Sequence, residues 1–145
     1  MSEVSSISVG NSRYLYKKSP LEGGDLVGLW KEIDSFIERA PRLTKATVNG
    51  FVYFNENSLS ADDVCFVGHE VVGFCDEELL EDFDLYSMDQ RAREVFRYTY
   101  QGPMEASELL RFAREIILRD GYSENWRMSF SANSGELVRM EFWKS

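Results

Sequence analysis

From Leu26 to Ala40 the apolar residues Leu26, Leu29, Trp30, Ile33, Phe36, Ile37 and Ala40 recur at three- and four-residue steps, which places one continuous stripe along a helix. Asp25 stands where a carboxylate can accept from the first free backbone N–H groups, and Pro41 removes a donor where the helix would continue. Leu109, Leu110, Phe112, Ala113, Ile116 and Ile117 form a second such stripe. Pro103 suits its first turn, Glu115 and Arg119 lie one turn apart, and Asp120-Gly121 ends it. The segment Met88 to Tyr98, carrying Arg91, Arg93 and Arg97, also reads as a helix.

Elsewhere the runs are short, β-branched and aromatic. Ser6–Val9 and Tyr14–Tyr16 flank Gly10-Asn11-Ser12 and predict an opening hairpin. Ala46–Val48 and Phe51–Phe54 flank Asn49-Gly50, which predicts a hairpin or a kinked long strand. Asp63–Val67 and Val71–Phe74 flank Gly68-His69-Glu70, so the lone His69 is expected in an exposed turn. In the tail, Trp126, Met128 and Phe130 alternate with Arg127, Ser129 and Ser131. Beyond Asn133-Ser134-Gly135, Val138, Met140 and Phe142 alternate with Arg139, Glu141 and Trp143, a C-terminal hairpin with one face in the core and the other in solvent.

Together these elements predict a single α+β domain over 1–145: an antiparallel sheet of five to seven short strands with two main amphipathic helices on one face. With 145 residues, 43% apolar, ten Phe, seven Tyr and three Trp, the chain can fill one hydrophobic core. The start of the sequence lacks the basic and apolar pattern of a signal peptide, and no apolar run is long enough to span a membrane. A cytoplasmic location is the expectation.

Charge changes the picture more than composition does. From Ala46 to Gln90 there is no Lys or Arg, while eleven carboxylates crowd the same window; outside it fourteen acids nearly balance sixteen bases. The whole net charge of −9 therefore arises in one contiguous third of the chain. Its densest part is Asp76-Glu77-Glu78-Leu79-Leu80-Glu81-Asp82-Phe83-Asp84, readable as a short helix over Leu79, Leu80 and Phe83 or as a pinned loop. Like charges at helical spacing repel, so the block is unfavourable in isolation. Arginines 91, 93 and 97 would cancel it if they faced it.

The chemistry of known catalytic motifs is missing. His69 has no nucleophile elbow beside it, and no G-x-x-x-x-G-K-[ST], G-x-G-x-x-G or H-E-x-x-H occurs. Cys65 and Cys75 are expected as free thiols; with His69 they make only three zinc ligands at unusual spacing. The sequence thus predicts no enzyme, no metal and no cofactor. Direct nucleic-acid binding is disfavoured by the acidic surface, which would instead steer a basic protein partner. Asp76, Glu77, Glu78, Glu81, Asp82 and Asp84 would supply the charge, and Phe83 and Tyr86 the aromatic anchors.

Asp63-Val64-Cys65-Phe66-Val67, followed by Asp76-Glu77-Glu78 and by the Pro103 to Tyr122 helix, resembles the immunity proteins of bacterial contact-dependent inhibition and related polymorphic toxin systems. The resemblance implies a small cytoplasmic protein that binds and neutralises a cognate toxin, often a basic nuclease domain. A secretion chaperone, or a phage-encoded acidic inhibitor that mimics nucleic acid, are the alternatives.

Overall fold

A computed structural model of the protein describes residues 4–20, 25–54, 64–98, 106–122, 125–131 and 136–144. Its frame is one eight-stranded antiparallel sheet with three helices on one face. The elements run β1 (Val4–Val9), β2 (Ser12–Pro20), α1 (Leu26–Arg39), β3 (Leu43–Phe54), β4 (Val64–Gly73), α2 (Glu77–Asp82), β5 (Tyr86–Gln90), β6 (Arg93–Tyr98), α3 (Ala106–Asp120), β7 (Trp126–Ser131) and β8 (Leu137–Phe142).

The helical stripes form as their spacing dictates. Asp25 accepts from the Gly28 N–H at 3.0 Å, and α1 buries Trp30, Ile33, Phe36 and Ile37. Leu110, Ala113, Ile116 and Ile117 of α3 meet Val52, Phe54, Trp126, Met128, Met140 and Phe142 on the same face of the sheet. Leu80 of α2 joins Leu15, Ile37 and Val71 in an adjoining cluster. The C-terminal hairpin is present, with Met128 opposite Met140; its turn signal at Asn133-Ser134-Gly135 lies outside the described residues, as does Pro103. Among the described residues no helix is long and apolar enough to cross a membrane.

Three local expectations are corrected, and of the two readings of Asn49-Gly50 one holds. Met88 to Tyr98 is two strands, β5 and β6, because its residues alternate between faces and Val95 is buried beside the sheet's own side chains. Gly68-His69-Glu70 is the interior of the continuous strand β4, and His69 is buried, its ring nitrogen 3.0 Å from the Trp30 carbonyl. Asn49-Gly50 marks a bulge in the single long strand β3, the kinked-strand alternative. Gly50 is needed there because a Cβ would stand 2.5 Å from the Trp30 indole. Finally, β1 and β2 do not pair with each other.

They pair instead with β6 and β5. Partners step without a shift from Tyr16 opposite Tyr86 and Ser12 opposite Gln90 to Val9 opposite Arg93 and Val4 opposite Tyr98. Chain segments 4–20 and 86–98 are thus the two arms of one long antiparallel ribbon, stitched at its middle where Asn11 Oδ1 accepts from the Ala92 N–H at 2.8 Å. One end of the ribbon joins β8 through β6, and the other joins β4 through β2. It therefore bridges both sides of the central strands and bends the sheet across its own inner face, the face without helices.

The order β1-β6-β8-β7-β3-β4-β2-β5 also reads as a doubled plan. Exchanging β1, β2, β3 and β4 with β5, β6, β7 and β8 reverses the order, with α1 matching α3 and β3 beside β7 at the centre. The acidic helix α2 has no counterpart among the described residues and lies between the halves in the chain.

Candidate functional site

The enclosed inner face is where this fold places its unusual chemistry. Side chains alternate along a strand, so opposite Met128, Met140 and Val52 stand Arg127, Ser129, Glu141, Phe51 and Tyr53. These were expected to face solvent on β7 and β8. Instead Tyr14, Phe51, Val95, Arg127 and Ser129 are buried, and Glu141 is 0% exposed, although none of the described helices covers them. The bent ribbon accounts for that burial.

Glu141 is the electrostatic centre. Its Oε1 is 2.8 Å from Arg127 Nη2 and accepts from Arg127 Nε at 3.0 Å; its Oε2 accepts from Arg97 Nε at 2.8 Å. Ser129 Oγ donates to it at 3.4 Å, and Arg139 Nε stands 3.6 Å away. Burial pushes the Glu141 carboxyl up, but the guanidinium of Arg127 together with Arg97 and Arg139 outweighs it and holds the group below the ordinary carboxylate value. Arg127 also faces Glu70 at 3.5 Å, donates to the Tyr14 hydroxyl and lies over the Tyr14 ring. Glu70 on β4 and Glu141 on β8 are thus contributed by matching strands of the two halves.

Above this network is a cleft of about 150 Å³ lined by Tyr14, Phe51, Glu70, Arg97, Arg127, Ser129 and Arg139, with Thr47 and Asn49 from the β3 bulge. One same-face step along the strands, roughly 6–7 Å, leads from it to a row of rings. Tyr86 stacks on Tyr16 at 5.5 Å, Tyr16 on Phe66 at 4.4 Å, Phe66 on Tyr53 at 6.0 Å and Tyr53 on Trp143 at 6.0 Å. A cation closes each end, Lys18 over Tyr86 at 4.9 Å and Arg93 over Trp143 at 4.4 Å. Sequence reasoning missed this site. The only local signal was the set of charges on the non-core positions of the tail hairpin, which is indistinguishable from a solvated face.

Of the predicted partner-binding residues, Tyr86 ends this ring row, and the other seven lie elsewhere, gathered on and around α2. Glu77, Glu78, Glu81 and Asp82 are exposed, and among the described residues none of the six block carboxylates has a Lys or Arg within salt-bridge distance. Asp76 caps the helix in position only, without a side-chain bond, and Asp84 takes the left-handed φ of 54° that turns the chain toward β5. The arginines do not cancel the block: Arg97 is spent on Glu141, Arg93 on Trp143, and Arg91 is exposed with its carbonyl accepting from Arg93 Nη1. Phe83 packs edge-on against Phe36 and stays half-exposed, as does Tyr86. Beside α2 an open groove of about 290 Å³ is lined by Pro41, Arg42, Phe74, Cys75, Asp76 and Leu79.

The remaining candidates separate. Cys65 is buried on the helix face with its thiol pushed up by burial to about 12, while Cys75 is half-buried at the start of α2. Among the described residues no three metal-ligating side chains are grouped.

No protein-family model matches the chain. No curated protein matches it either. Solved structures do. The chain is similar to the C-terminal domain of EcmrR, with a TM-score of 0.70 and 13% identity over 99% of this chain and 97% of that one. It is similar to EcmrR in its DNA complex, with a TM-score of 0.63 and 14% identity, where it spans 58% of the longer chain. A hydrolase from Listeria innocua is similar at a TM-score of 0.53 and 10% identity, over 97% of this chain and 91% of that one. At such identities the likeness is one of fold.

Proposed function

We propose that this protein is a non-enzymatic binding module that takes a small, flat organic molecule against the inner face of its sheet. The observation that carries the reading is the juxtaposition, under the bent ribbon, of a cleft with fixed polar groups and a row of stacked rings that is open from Tyr86 to Tyr53 and buried at its Trp143 end. Pockets that combine apolar or aromatic walls with a few fixed polar groups are the usual form of a small-molecule site. Ring faces give area at low entropic cost, and the guanidiniums fix orientation. A binding role is favoured over catalysis because His69 lies on the opposite face and the Glu141 carboxylate that accepts from Ser129 is held below its ordinary value by the arginines, which leaves it a weak base toward the hydroxyls of the cleft. The fold of a domain that EcmrR joins to a DNA-bound protein suggests that occupancy would be read out by a protein partner or a joined domain.

The test is chemical-shift mapping of the full chain against a library of aromatic fragments. Binders should perturb Tyr53, Phe66 and Trp143 first, and Trp143→Ala should weaken them at least fivefold. Perturbations confined to α2 and the groove at Phe74, or none at any fragment, would reject the reading.

A second reading rests on α2. Its carboxylates are exposed and unpaired among the described residues, and Phe74, Phe83 and Tyr86 offer ring surface nearby. These features suit a cytoplasmic immunity protein that docks a basic toxin domain through this helix, the function implied by the family resemblance. Low-salt pull-down of a candidate nuclease domain tests it, with binding lost on charge reversal of Glu77, Glu78, Glu81 and Asp82; undiminished binding would reject it.

A further inference from the structure

We infer that the ligand of the inner face is an anion: an aromatic or other planar molecule carrying a carboxylate, sulfonate or phosphate group. The inference rests on the reading of that face as a small-molecule site. Its basis is a mismatch of donors and acceptors. Arg97, Arg127 and Arg139 stand against Glu70 and the submerged Glu141, leaving one excess positive charge at the cleft. Glu141 is already surrounded by four donors from Arg127, Arg97 and Ser129, with Arg139 just beyond. A carboxylate has about four lone-pair sites, so an incoming cation would have to displace a guanidinium.

The unsatisfied groups are all of the other kind. On this face the buried polar atoms without a hydrogen bond are Arg139 Nε, whose one contact is the 3.6 Å ion pair with Glu141, and Arg93 Nε and Nη2, every one an N–H donor. Orphaned donors of a charged group are costly, and an acceptor that reaches them recovers that cost. Arg97 and Arg139 are 31% and 28% exposed, so their forks reach the mouth of the cleft where an anion would arrive. Arg93 holds the far end of the ring row over Trp143. A molecule with its ring on the row and its anionic group among these guanidiniums would satisfy both sets.

The test is a titration of the full chain with a matched pair of probes, 1-naphthoate and 1-naphthylmethylammonium, followed by calorimetry and by the inner-face aromatic resonances. Naphthoate should bind at least tenfold more tightly. Of Arg139→Gln and Arg93→Gln, each checked for native circular dichroism, at least one should weaken naphthoate at least threefold while leaving the ammonium probe unchanged, whereas Trp143→Ala should weaken both. Equal or tighter binding of the ammonium probe at the inner face would overturn the charge assignment and leave the site standing. The same holds if neither arginine variant changes naphthoate affinity. If neither probe moves the inner-face resonances, the site itself fails and the charge assignment with it.

Discussion

Arg127 reaches Glu141 through both Nη2 and Nε, at 2.8 and 3.0 Å, in the interior of a sheet face that none of the described helices covers. Removing one member of a buried pair strands the other in a low dielectric, which typically costs about 3–5 kcal/mol. Glu141→Gln should therefore lower the unfolding free energy, measured by urea titration, by a margin of that size, and a loss below about 1 kcal/mol would mean that the inner face is wet. The carboxyl is held below its ordinary value of 4.5 in the folded chain. Its contribution is thus complete above that value and is lost as pH falls through the lower folded one. The acid limb of the stability profile should flatten in Glu141→Gln.

Gly50→Ala tests the seating of α1. A Cβ there would stand 2.5 Å from the Trp30 ring, whose N–H donates to the Phe51 carbonyl at 3.2 Å. Overpacking of this kind costs about 1–3 kcal/mol. The same change in a Trp30→Phe background should cost clearly less than it does alone, as read by thermal or urea unfolding; simple additivity would place the clash elsewhere.

Burial lowers the pKa of His69, and the hydrogen bond to the Trp30 carbonyl only partly opposes this. A folded value below the unfolded 6.5 means that the histidine contributes stability above that pH and loses it as pH falls toward the folded value. Imidazole resonances followed by NMR should show a midpoint under 6.5. A midpoint at or above it would place the ring in water, as the turn reading of Gly68-His69-Glu70 would have had it.

Charge on α2 should be nearly free of structural consequence. With no partner among the described residues, Glu81→Lys and Asp82→Lys remove like-charge repulsion and set a cation at a helix C-terminus. The melting temperature should hold or rise. A marked fall would show that these carboxylates are held by contacts within the fold, and the second functional reading would lose its surface.

Local patterning was legible where one face met the core. The stripes of α1 and α3, the Asp25 cap, the Pro41 stop and the tail hairpin all follow from periodicity, because burial on a single side leaves an unmistakable record. What periodicity cannot carry is closure. Gly10-Asn11 and Arg91-Ala92 look like turn and helix because nothing nearby says that two arms eighty residues apart will zip together. Once they do, positions such as Arg127 and Glu141 pass from solvent to interior without any change in their alternation. His69 was misplaced for a related reason: a strand buried along its length hides its glycine, and Gly68-His69-Glu70 then imitates a turn. Whether the acid block is covered was open in the sequence, because the partners of Arg93 and Arg97, Trp143 and Glu141, lie at the other end of the chain.

The most direct measurement is a crystal structure of the protein grown with 1-naphthoate. The ring should lie about 3.5–4 Å from Trp143 or Tyr53 on the inner face, with its carboxylate accepting from Arg139 or Arg93. An inner face without naphthoate, with the molecule seated instead in the groove beside Phe74 and α2, would contradict the assignment of this face as the binding site.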